Sequence, residues 1–95
     1  MPAYYIAQVE VHDTDVYETY RKQVPSTLEP FGGEFIVRGG KMEVLEGEWP
    51  MPRCVVIKFP DMEKARAWHG SEAYAGPKAL RQTVSRGNGI VIEGA

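Results

Sequence analysis

From Ala3 to Val11 the chain alternates, with Tyr5, Ala7, Val9 and Val11 on one side and Tyr4, Ile6, Gln8 and Glu10 on the other. That period of two predicts a β-strand. His12-Asp13-Thr14-Asp15 follows, offering capping side chains and the acids that suit a helix N-terminus. From Val16 the period lengthens, and Val16, Tyr17, Tyr20, Val24 and Leu28 recur at helical spacing. Pro25 has no amide proton and crowds the preceding turn, so a kink or a restart at Ser26 is expected. Pro30 and Gly32-Gly33 end the helix.

Glu34 to Val37 predicts a short strand, and Lys41 to Leu45 another. A tight hairpin at Gly39-Gly40 would join them. The preferred reading is one bent strand from Glu34 to Glu46 with a glycine bulge at 39–40, which leaves residues 47–52 as the true turn. Cys54 to Phe59 is the most apolar run and is apolar on both faces, as in a central strand covered on both sides. Pro60 stops it. Asp61 caps a helix carrying Met62, Ala65 and Trp68, and Ser71 caps a second carrying Tyr74. A break is expected at Gly76-Pro77, then renewed helix through Leu80 and Val84. Gly87-Asn88-Gly89 predicts a turn, and Ile90 to Glu93 a last strand.

The order β-α-β-β-α-β over residues 1–95 predicts a single domain, an α+β ferredoxin-like sandwich with helices on one face of an antiparallel sheet. The other face must still hide its apolar side chains, which predicts a homodimer packed sheet against sheet. Size points the same way. A 10.6 kDa chain should fold to a surface of roughly 5,500 Å² from about 15,400 Å², a modest core.

Composition then excludes several classes. Hydrophobic residues at 43% and charged residues at 25% are globular values and exclude disorder. No apolar stretch reaches the ~20 residues of a membrane span. Met1-Pro2-Ala3-Tyr4 lacks a basic, then apolar run, so no secretory signal is expected. Cys54 is the only cysteine, so no internal disulfide forms and a cytoplasmic location is expected. A net charge of −2 and the absence of an aromatic RNA-binding motif argue against nucleic acid. The charge is uneven: residues 1–47 hold four Lys/Arg against eight Asp/Glu, and residues 48–95 seven against five. Such halves either face each other, within the fold or across a subunit contact, or are ordinary solvated surface.

Two groups of residues carry candidate chemistry. Arg38 is followed by Gly39 and Gly40, so a guanidinium lies beside accessible amides, which suits a carboxylate or phosphate. The alternative is an arginine that fixes the backbone by bonding to carbonyl oxygens. Ser71, Tyr74 and Arg81 form the second group: a phenol and a guanidinium seven residues apart share a helix face and can hold an oxygenated ligand. Alternatively Ser71 is a cap and Tyr74 is core. His12 and His69, the only histidines, are weaker proton-transfer candidates. Their scatter gives no metal-ligand spacing, and neither a metal nor a cofactor is expected. Cys54 reads as an inert core thiol, and Trp49 as a lid or a residue buried in a partner.

Gly32-Gly33-x-Phe35-x-Val37-Arg38-Gly39-Gly40, Glu46-Gly47, Val56-x-x-Phe59-Pro60, Ala65-x-Ala67-Trp68, Ser71-x-x-Tyr74, Arg81 and Glu93-Gly94 together resemble the DUF1330 family, a domain of unknown function. The likeness runs from Tyr5 to Gly94. It implies a dimeric α+β barrel, two ferredoxin-like subunits packed through their sheets, and no established reaction. The wider superfamily mixes cofactor-independent monooxygenases, haem-degrading enzymes, isomerases and members without known activity. Relatives often carry Tyr where His69 follows Trp68, so the resemblance implies no phenol there. Three functional classes stand: a dimer binding a small anionic or aromatic acid, a cofactor-independent enzyme of monooxygenase or isomerase type, and a structural or regulatory interaction protein without a ligand.

Overall fold

The computed structural model describes residues 1–95. A four-stranded antiparallel sheet has the order β2-β3-β1-β4, built from β1 (Ala3–Val11), β2 (Glu34–Arg38), β3 (Arg53–Phe59) and β4 (Ser85–Glu93). Helices α1 (Thr14–Leu28), α2 (Met62–His69) and α3 (Glu72–Val84) cover one face, and a 3-10 turn at Glu29–Phe31 closes α1. This is the expected α+β ferredoxin-like fold.

The alternation in β1 sets the layers. Ala3, Tyr5, Ala7 and Val9 are buried beneath the helices, where Val55, Ile57 and Phe59 of β3 join them. From the helices come Tyr17, Tyr20, Val24, Leu28, Ala65, Trp68 and Tyr74. Trp68 is the hub: it stacks on Tyr74 at 4.1 Å, meets Tyr5 edge-on at 5.3 Å and lies 5.6 Å from Phe59 between ring centroids. Its Nε1 donates to Thr27 Oγ1 at 3.0 Å, which in turn donates to the Val24 carbonyl at 2.7 Å. A buried indole N–H thereby finds a partner inside an apolar layer.

The opposite sheet face is apolar and open. Val37 pairs with Val56, Val56 with Ile6 and Ile6 with Ile90, an aliphatic row crossing all four strands. Val37 is 40%, Ile90 54% and Ile92 48% exposed. Between strands β2 and β3, residues 39–52 form no strand, and Met42, Val44, Leu45 and Trp49 project into solvent.

Four local expectations are corrected. The bent strand Glu34–Glu46 stops at Arg38, and the alternative hairpin to 41–45 is absent as well. Gly39 takes φ +72° and turns the chain away, so the alternating segment beyond it has no strand to pair with. Helix α1 runs through Pro25 without restarting. The carbonyl that the missing N–H would have engaged is that of Arg21, and Arg38 Nη2 donates to it at 2.6 Å. A side chain from the sheet thus replaces the lost helical bond. Helix α3 likewise continues through Gly76-Pro77, where the helix face carrying Ala73 is exposed and water can serve the freed carbonyl. Gly87-Asn88-Gly89 is not a turn but the middle of β4, opposite Val9, Gln8 and Ala7. A side chain at position 87 would meet the Gln8 carbonyl, and one at 89 would touch the Tyr5 hydroxyl.

Candidate functional site

The glycines of β4 open a groove between the sheet edge and helices α2 and α3. It has a volume of about 670 Å³ and is lined by Tyr5, Arg66, His69, Arg81, Arg86 and the 87–89 backbone, among others. That is the size of a small-molecule site. Behind it, between sheet and α1, lies a cavity of about 20 Å³, room for about one water. Its walls include Tyr17, Tyr20, Val24, Phe35, Val55 and Ile57, together with Arg21, Arg38, Arg53 and Arg81. Tyr5 and Arg81 line both compartments and form the wall between them.

Charge at the site is lopsided. The molecule's ion pairs are Glu10 with His12 and with Arg86, and Glu18 with Arg21 at 2.9 Å. Arg38, Arg53, Arg66 and Arg81 therefore have no carboxylate partner. The Nε atoms of Arg21, Arg53 and Arg81 are buried without a hydrogen-bond partner. Burial, then the neighbouring Arg21 and Arg53 cations, lowers the Arg38 pKa. Burial, the largest single effect, acts against the charge of Arg81, but its coupling to Tyr74, Tyr5 and Tyr20 outweighs that and its pKa is raised, so the guanidinium stays charged. Burial, then Lys78 and Arg81, lowers the pKa of His69, so the imidazole in the groove is neutral at pH 7. Tyr5 is pushed up to about 12, chiefly by burial, and burial and Tyr74 push Tyr20 well above the usual phenol range. Both phenols stay protonated.

The sequence candidates separate in space. Arg38 lines the inner cavity, its guanidinium 4.1 Å over the Phe35 ring, with one donor engaged by the Arg21 carbonyl. Gly39 leaves room for the Arg53 guanidinium, which a Cβ would strike, whereas Gly40 faces open space. Ser71 is the N-cap of α3: its Oγ accepts from the Tyr74 N–H at 3.2 Å and donates to the Trp68 carbonyl at 2.7 Å. Tyr74 is fully buried, its hydroxyl 2.7 Å from that of Tyr20, one layer behind the cavity wall. Arg81 stands at the junction of groove and cavity. Sequence reasoning missed Arg21 and Arg53 in the inner cavity and Arg66 and Arg86 in the groove, and no local signal marks them, because elements far apart in sequence bring each pair to its site. No group of three or more His, Cys, Asp or Glu residues gathers anywhere, and no helix is long and apolar enough to cross a membrane.

Fold and site together define a class: a small ferredoxin-like α+β protein with an arginine-lined interior and an uncovered apolar sheet face. The family described as "Domain of unknown function (DUF1330)" matches residues 2–95. The chain belongs to this family. Among solved structures it is similar to a protein of unknown function from Rhodopseudomonas palustris, with TM-score 0.80 at 14% identity, covering 99% of this chain and 82% of that one. It is also similar to a dimeric ferredoxin-like protein of unknown function from Jannaschia sp. CCS1, with TM-score 0.80 at 12% identity over 99% and 100% of the two chains. A cofactor-independent oxygenase from Streptomyces nogalater gives TM-score 0.68 at 11% identity over 99% and 93%. Identities this low show the fold alone. No curated protein sequence matches the chain.

Proposed function

We propose that the protein is a homodimer that binds a small organic acid, anionic and aromatic, between sheet and helices. Arg81 carries the reading. Its guanidinium is half-buried, lacks a carboxylate partner, leaves Nε unbonded and faces a groove of ligand size. A buried charge calls for a counter-charge, and an acid with an aromatic body supplies it beside Tyr5 and His69. Thermal shift with a panel of aromatic carboxylates tests this. At a hundred times its dissociation constant a ligand stabilises by ~2.7 kcal/mol, upwards of about 10 °C for a domain this small. The shift should vanish in Arg81→Ala. A wild-type protein indifferent to every acid in the panel would sink the proposal.

Dimerisation rests on the aliphatic row Val37–Val56–Ile6–Ile90 and on the dimeric Jannaschia protein. The exposed Met42, Val44, Leu45 and Trp49 give a partner copy further apolar surface to cover. A cytoplasmic location, with Cys54 a free thiol, belongs to the same reading.

The neutral His69 favours a second reading, a cofactor-independent enzyme of monooxygenase or isomerase type. A neutral imidazole can take a proton from a substrate whose developing charge Arg81 stabilises. Proton exchange into substrate in D₂O, or oxygen consumption, would then be lost in His69→Gln. An interaction protein without a ligand would need Arg38 wholly engaged by backbone and a closed interior. Arg38 does give one donor to a carbonyl, yet the groove at Arg81 stands open.

A further inference from the structure

Residues 41–46 keep the alternation of a strand, yet no strand lies beside them. Met42 and Val44 alternate with Lys41 and Glu43, and the whole segment is exposed. Gly39 at φ +72° starts this excursion, and Gly47 at φ +68° reverses it toward Arg53. At the far side of the sheet, β4 has the complementary lack. Its nine residues pair with β1 on one side, and no strand or loop bonds to its outer edge. A long bare edge is a template for a further strand. Within one copy the two features sit at opposite edges, with β3 and β1 between them.

Charge separates the two ways of packing a pair of these sheets. About a two-fold axis along the strands, β2 of one copy lies over β4 of the other; about an axis across them, like strands lie over like. Segment 39–52 carries Glu43, Glu46 and Glu48 against Lys41 alone. The groove beside β4 is lined by Arg66, Arg81 and Arg86 and by no carboxylate. Like over like would bring two acidic segments together, whereas β2 over β4 brings each to the other copy's arginines. The reach is sufficient, since residues 39–41 span up to about 10 Å when extended, the spacing of packed sheets.

We propose that residues 41–46 of each copy add a strand to the outer edge of β4 in the other and so close the wall of its groove. This rests on the homodimer reading and names what the second copy brings to the site. Side chains of a strand alternate between the sheet faces. Met42 and Val44 join Ile90 and Ile92 on the apolar face, where those two pair with Ile6 and Tyr4. Glu43 then points to the helix side, over the groove and its arginines.

Hydrogen exchange of the wild-type chain tests this. The amides of 41–46 should exchange at least about tenfold more slowly in the dimer than in the diluted monomer. Cross-linking identifies the neighbour. With Cys54→Ser removing the native thiol, Val44→Cys and Ile90→Cys together should give a covalent dimer with a short bismaleimide, and neither alone should. A cross-link from either single variant means like over like and overturns the proposal. A double variant that stays uncross-linked, or free exchange of 41–46, in a dimer established by light scattering also overturns it and leaves the homodimer standing. If the cysteine variants do not fold, exchange of the wild-type chain decides alone. A chain monomeric at every concentration overturns both readings.

Discussion

Pro25 and Arg38 are thirteen positions apart in the chain and act as one device. The proline removes an N–H from α1, and the arginine returns a donor to the Arg21 carbonyl. Arg38→Ala should therefore cost about 1–3 kcal/mol by orphaning that carbonyl. Adding Pro25→Ala should recover most of it, since the new amide can close the helical bond. Urea denaturation of the two single variants and the double variant measures the coupling. Additive losses would contradict it. Tyr5 gives a pH dependence. Its folded pKa of about 12 lies above the ordinary phenol value near 10. Below pH 10 both states hold the proton and its contribution is fully present. Between pH 10 and 12 the unfolded state releases it first, so stability falls as pH rises, by roughly 2.7 kcal/mol in all. Tyr20 pushes in the same direction. Tyr5→Phe should flatten the loss measured between pH 10 and 12.

Elements proved longer or shorter than their punctuation suggested. Proline and glycine signals put breaks at 25, 76–77 and 87–89, and none of these interrupts an element. The reason is tertiary in two cases and solvent in the third: a sheet arginine repairs α1, β4 is paired with β1 along its whole length, and water can serve α3. The glycines of β4 are there for space. Gly87→Ala should destabilise by more than the ~1 kcal/mol typical of a point substitution, because a Cβ would strike the Gln8 carbonyl. Thermal melting reads this directly. Ser71 was legible as a cap, and Ser71→Ala should lose about 1 kcal/mol without altering the response to acids, since its hydroxyl serves Tyr74 N and the Trp68 carbonyl. An altered affinity at unchanged stability would return Ser71 to the binding site.

On the scale of the molecule, the surface is 6015 Å², above the roughly 5,500 Å² expected for a compact chain of this mass. The excess fits an open sheet face and an extended 39–52 segment. Light scattering at micromolar concentration should give twice 10.6 kDa, and Ile6→Lys, in the middle of the aliphatic row, should give a monomer. A wild-type monomer would remove the dimer from the proposal.

The chain's own pattern determined the order of elements, the two faces of β1, the caps at Asp61 and Ser71 and the apolar open face, because periodicity and capping are local properties. Arg38 was legible as a candidate from Gly39 and Gly40 that follow it, and Arg81 from its helical spacing to Tyr74, both local properties. Their fellowship with Arg21 and Arg53 was not. Only the sheet order β2-β3-β1-β4, with α1 and α3 laid across it, brings four arginines to one cavity. Only the bare backbone at 87–89 opens a groove to it. Charge acts through space, and the tertiary fold decided which charges share that space.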